Sequence, residues 1–223
     1  MKTPYPFKIF VYFLTSVSLI FNSCQNEKAE FKRFHTYMKT ATNADSVHLN
    51  KIDDTAILTL QYSFIPQLSN NFLTSMAALT FVDTAKNEIT AHHISHVKVQ
   101  VMNPSTTEIY RYPISSLSQA RKGLENIAAF LSHFLNGQSE QNLPYVDTLK
   151  INSSELKALN TVNNQIQTAL QIEGVNFDGF NSQLEQPNEM EFKGKFISKN
   201  EIISFTIHYN TFSNKIFYFG LNE

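Results

Sequence analysis

The stretch FKGKFISKNEIISFTIHYN at 192–210, followed closely by NKIFYFG at 214–220, decides the fold class. Phe192, Phe196, Phe205, Ile207 and Tyr209 alternate with Lys193, Lys195, Thr206 and His208, the period-two pattern of strands with one face in a core. Lys199-Asn200 and Ser213-Asn214 supply tight turns between them. The reading is an antiparallel meander over Met190 to Ser198, Glu201 to Tyr209 and Lys215 to Leu221, with a further strand at Val175 to Phe180.

Upstream, the period changes to that of helices. Leu124, Ile127, Ala128, Leu131 and Leu135 form one apolar stripe, so a helix is predicted from Leu117 to about Leu135, capped by Ser115 or Ser116 and stopped at Asn136-Gly137. Leu156, Leu159, Val162, Ile166 and Leu170 predict a second helix from near Asn152 to Gly174. His96 to Met102 and Glu108 to Ile114 read as a hairpin across Asn103-Pro104-Ser105. The segment from Asp53 to Lys86 reads as a long helix N-capped by Asp53 and Asp54. Its second part, with Leu68, Phe72, Met76, Leu79 and Val82, is amphipathic, and its first part is open to either period, with helix preferred. The expectation is an α+β domain over 53–222 in which helices pack on a curved antiparallel sheet, with Leu131, Leu159, Phe205 and Phe217 buried together.

Two helices followed by a meander, carried by FLSHFLNGQ at 130–138, SSELKALNTVNNQIQTAL at 153–170 and the final strand segments, resemble the nuclear transport factor 2-like (NTF2-like) superfamily over about 115–222. That resemblance implies a cone of sheet closed by helices, a fold shared by enzymes and noncatalytic scaffolds alike. In its enzymes, acidic, His or Tyr side chains project into the cone.

The N-terminus gives an address. Lys2 and Lys8 precede an apolar run from Ile9 to Phe21, and FNSC at 21–24 contains the only cysteine, Cys24. The FNSC segment resembles the lipobox of bacterial lipoproteins, with Ser23 as the small residue before the acylated cysteine. Phe21 and Asn22 depart from the usual aliphatic and small residues. The resemblance implies a signal peptide over 1–23, lipid on Cys24, a membrane partner through that anchor, and, with Gln25 after the cysteine, the outer membrane, facing the periplasm or the surface. The run of 13 residues falls short of the roughly 20 that span a bilayer. Residues 24–52 read as a polar tether with one short helix.

Composition excludes several functions. A formal net charge of −1 without a long like-charge run leaves no footprint for nucleic acid. Six glycines and the absence of GxSxG, HExxH, CxxC and a phosphate loop remove the parts of serine-hydrolase and nucleotide chemistry, so no cofactor is expected. The absence of Trp argues against a carbohydrate platform built on indole rings and leaves one built on Tyr open. No catalytic residue and no metal site is assigned. His92, His93 and His96 lead into a strand, where His92 and His96 stand about 13 Å apart, too far to share one ion. His133 falls off its helix stripe, His208 faces away from Phe205, and Glu185, Glu189 and Glu191 read as a solvated run. Two functions stay open: a noncatalytic envelope lipoprotein that binds an envelope protein or a small apolar ligand, and an envelope enzyme of hydrolase or isomerase type using the cone interior.

Overall fold

The computed structural model describes residues 27–66, 70–151, 172–182, 188–199 and 201–222. Cys24 and the helix expected at 153–170, with Leu159, lie outside the described residues, as does Glu185.

Among the described residues two four-stranded sheets organise a mixed α+β structure. Helix α1 (Glu27–Thr42) leads into strands β1 (Ser46–Ile52) and β2 (Thr55–Gln61), joined by the two-residue loop Asp53-Asp54. Helices α2 (Asn70–Thr84) and α3 (Lys86–Ala91) cross over to β3 (His96–Met102), which lies parallel to β2, and β4 (Thr107–Pro113) closes an N-terminal sheet of order β1-β2-β3-β4. Helix α4 (Ile114–Leu135) and a 3-10 turn (Ser139–Tyr145) follow. The C-terminal sheet is a pure meander of β5 (Ile172–Asn181), β6 (Glu189–Ser198), β7 (Ile202–Asn210) and β8 (Lys215–Asn222).

Two expectations are corrected. The first half of the long helix over 53–86 is strand β2: Ala56, Leu58 and Leu60 are buried on one face while Thr55, Ile57 and Thr59 are only partly covered. Period two prevails because the backbone is hydrogen-bonded on both sides, to β1 and to β3. Asp53 is no helix cap but a turn residue with φ 53°. Likewise, in the segment 24–52, read as a tether with one short helix, the described residues form the 16-residue α1 and the edge strand β1. Phe34 and Met38 anchor α1, the Phe34 ring meeting Phe81 of α2 edge-on at 5.8 Å, and Val47 joins the core from β1.

Helix α2 is the hinge of the architecture. It is buried on nearly every side, from Phe72 through Val82, because it packs on α1, β3 and β4 and also on β5 and α4. At its contact with β5 the Ser75 hydroxyl donates to Phe72 O and accepts from Phe180 N–H, both at 2.9 Å, so a helix residue satisfies an edge-strand amide that would otherwise be buried unpaired. One continuous apolar core runs from Phe34 to Phe219 through both sheets.

The hairpin of β3 and β4 forms as expected, its turn held by Asn103 Oδ1, which accepts from the amides of Ser105 and Thr106 at 2.9 Å each. Helix α4 stops at the expected place. Gly137 at φ 69° donates to Phe134 O and Gln138 to His133 O, the paired bonds of a Schellman motif. Helix α3 ends in the same way, with Ile94 N–H to Ile89 O and His93 N–H to Thr90 O, but there the left-handed position is filled by His93 at φ 51°. The start of α4 differs from expectation: Pro113 stands at the N-cap without a side-chain hydrogen bond, and Ser115 and Ser116 lie within the first turn.

Candidate functional site

The face of the C-terminal sheet that meets α4 is filled. Phe180, Phe192, Phe196, Phe205, Ile207, Tyr209 and Ile216 are at most 1% exposed there. A methyl group on Gly123 of α4 would stand 2.9 Å from the Phe192 ring, a spacing that only a bare backbone allows. The Tyr209 hydroxyl, the polar group that enters this layer, accepts from Asn126 Nδ2 at 2.9 Å, and Asn126 also donates to Asn214 O at 3.2 Å, so Asn126 ties helix, strand and turn together.

The functional groups gather on the opposite, outer face. In the β7–β8 ladder His208 pairs with Tyr218 and Tyr209 with Ile216, so Phe217 is an extra residue and β8 bulges. A bulge turns two consecutive side chains toward one side. Phe217 and Tyr218 accordingly both flank the His208 imidazole, at centroid distances of 5.7 and 4.9 Å. This overturns the expected burial of Phe217 with Leu131 and Phe205. Those two are buried, whereas Phe217 is half-buried on the outer face with the Lys150 ammonium 4.1 Å above its ring.

Tyr218 lies down along the strand. A β-carbon on Gly220 would fall 2.3 Å from the phenol oxygen and 2.8 Å from Cζ, so the hydroxyl end of the ring reaches over the bare backbone of Gly220, and the residue is 47% exposed. Beside it Glu191 stands 3.6 Å from His208 Nε2 and 3.1 Å from Lys193 Nζ. Lys193 is held at its far side by the Phe72 ring at 4.8 Å. Lys195 pairs with Asp178 at 3.4 Å and Lys150 with Glu189 at 3.4 Å. The arrangement is an aromatic surface of mutually inclined rings bordered by ion-paired donors and acceptors.

The remaining candidates scatter. His133 Nδ1 lies 3.1 Å from Gln141 O and its ring meets Tyr145 edge-on at 5.7 Å, which ties α4 to the 3-10 turn. His92 and His93 occupy the turn after α3, and His96 opens β3. Among the described residues no group of three His, Cys, Asp or Glu side chains is placed to hold a metal ion. His96 is engaged otherwise: its Nδ1 is 2.6 Å from Ser95 Oγ, and Ser95 Oγ donates to Asp54. A carboxylate only accepts, so the Ser95 proton points to Asp54 and the His96 Nδ1 carries the proton that Ser95 receives. The Ser95 bond, then that from Thr55 and the nearby His96, hold the Asp54 carboxyl below its ordinary range. Sequence reasoning missed this relay because Asp54 and Ser95 meet only when β2 lies beside β3. It also missed the Tyr218 platform, for which the spacing Tyr-x-Gly at 218–220 was the available signal.

No family model, curated protein or solved structure matches the chain.

Proposed function

We propose that this chain is a bacterial-type envelope lipoprotein, tethered to the outer membrane by lipid on Cys24, that acts by binding an envelope component and performs no chemistry of its own. The observation carrying the binding reading is the division of the C-terminal sheet: an inner face packed with aromatic rings against α4, and an outer face presenting His208, Phe217, Tyr218 and paired charges. An interior packed to that density favours a surface contact over a small apolar ligand held beside α4, and over an enzyme working from a cone interior. The same helix-on-meander arrangement supports an NTF2-like reading of 115–222. The lipid anchor is supported by the basic, apolar and FNSC segments before residue 25, and no helix among the described residues is long and apolar enough to cross a membrane.

The test is fractionation of a Gram-negative envelope together with intact mass. Wild-type protein is expected in the detergent phase with the mass of a chain starting at an acylated Cys24, and Cys24→Ser in the aqueous phase. Identical partitioning of the two would end the lipoprotein reading. Turnover in a hydrolase and isomerase panel that vanishes in His208→Ala would replace binding by catalysis.

A further inference from the structure

We propose that the outer face of the C-terminal sheet is a saccharide-binding platform, with Tyr218 as the stacking ring and Glu191, Lys193 and His208 as the groups that fix sugar hydroxyls. The inference rests on reading that face as the contact surface and goes further by naming the ligand class. Three observations carry it. The first is the posture of Tyr218. A tyrosine standing up from a sheet offers its edge, but here Gly220 lets the ring lie down, and a recumbent ring offers a face to the apolar C–H side of a pyranose.

The second is the bulge at Phe217. It widens the apolar surface on one side of His208 while Tyr218 lies on the other, so the imidazole is wedged between two rings and points its nitrogen edge at Glu191. Glu191 is oriented in turn by Lys193, and Lys193 by the Phe72 ring. Side chains locked in this manner lose little rotamer freedom on binding. The imidazole on the neighbouring strand and the carboxylate and ammonium one strand beyond it supply acceptors and donors along one side of the ring, the mixture that vicinal hydroxyls require.

The third is charge. Three cations of the face sit beside carboxylates, Lys150 by Glu189, Lys193 by Glu191 and Lys195 by Asp178, and Lys215 adds one charge where β8 begins. A surface whose charges are mostly paired carries little excess field for a phosphate-bearing lipid, a nucleic acid or an acidic peptide. It suits an uncharged polyhydroxylated chain, whether that chain is a free oligosaccharide, a cell-wall glycan or a sugar on a protein.

The experiment uses the full chain in mild detergent on an array of neutral and acidic oligosaccharides, beside retention on purified peptidoglycan sacculi and on a deglycosylated envelope-protein fraction. Saturable binding to a neutral saccharide is expected, reduced at least 10-fold in Tyr218→Ala, held within 3-fold in Tyr218→Phe and within 2-fold in Phe212→Ser, whose exposed ring lies in the β7–β8 turn outside the ladder. Glu191→Gln should weaken binding while leaving the thermal melt in place. The sources separate by arm: sacculi alone point to cell-wall glycan, and array sugars alone to soluble or protein-borne chains. Binding only to acidic sugars that 0.3 M salt removes, binding only to the deglycosylated protein fraction, or no binding to any arm by a chain whose melt is intact would each overturn the proposal. Because Tyr218→Ala uncovers Gly220, its melt is measured beside that of Tyr218→Phe. Loss of binding shared by both variants at unchanged melts would also refute ring stacking. None of these outcomes bears on Cys24, whose test is separate.

Discussion

Gly179 is the position at which the two halves of the molecule touch backbone to backbone, and Gly179→Ala is the sharpest test of the architecture. The residue sits at a register shift in β5 with φ 145°, a conformation that side chains rarely adopt. An added β-carbon would stand 2.3 Å from Phe72 O and 2.8 Å from Ser75 Oγ, so relief requires moving either the strand or the start of α2. The disfavoured backbone contributes about 1–3 kcal/mol. Overpacking against a backbone atom adds about 1–3 kcal/mol, and disturbing the Phe180–Ser75 hydrogen bond about 1 kcal/mol. The expected loss is about 3–7 kcal/mol, a large share of the stability of an ordinary domain. For a chain of this size that lowers the melting temperature by about 6–28 °C. Gly174→Ala is the internal control. It lies in the same strand, and its β-carbon would meet nothing within 4 Å, so an effect of about 0.5 kcal/mol or less is expected. Urea unfolding followed by far-UV circular dichroism and by tyrosine fluorescence measures both. If Gly179→Ala unfolds within about 1 kcal/mol of Gly174→Ala, the close packing of α2 on β5 is wrong, and with it the shared core of the two sheets.

Two further outcomes follow from the same structure. His93→Gly should raise stability by about 0.5–1 kcal/mol in chemical denaturation, because His93 holds the left-handed position of a Schellman motif with its side chain exposed; a loss would show that the imidazole makes a contact worth more than the backbone strain. Burial, only partly offset by the bond to Thr74 at 2.7 Å, pushes the Tyr112 phenol up to about 12, so the folded state holds this proton more tightly than the unfolded one. The stability it contributes is intact below pH 10 and is lost as pH rises from 10 to about 12, and in Tyr112→Phe the decline over that window should be shallower.

Legibility followed the range of the interaction. The meander, the hairpin at 96–113, α4 and its stop at Asn136-Gly137 were readable because alternation, helical period and turn chemistry each act over a few residues. Residues 55–61 were misread as helix because Leu60, Phe64 and Leu68 satisfied one period while Ala56, Leu58 and Leu60 satisfied the other, and only the flanking strands decided between them. Residues 24–52 read as a tether with only one short helix because four apolar anchors are few for independent elements. Docked on α2, two of them, Phe34 and Met38, are enough. The candidate platform was half legible: His208 and Glu191 had been singled out, but the bulge that brings Phe217 beside them changes no residue type and leaves no trace in the pattern.

By itself the sequence determined where α4 and the strands of the C-terminal sheet lie, and which side of β7 carries Phe205 and which carries His208. The tertiary structure alone decided that β2 pairs parallel with β3 across the crossover of α2 and α3, that α2 is buried between two sheets, and that the inner face of the meander is full while its outer face bears the rings and paired charges. The physical reason is that turn chemistry and periodicity are set by neighbours along the chain. Strand pairing, helix burial and the lie of Tyr218 over Gly220 depend on which surfaces, distant in sequence, exclude water from one another.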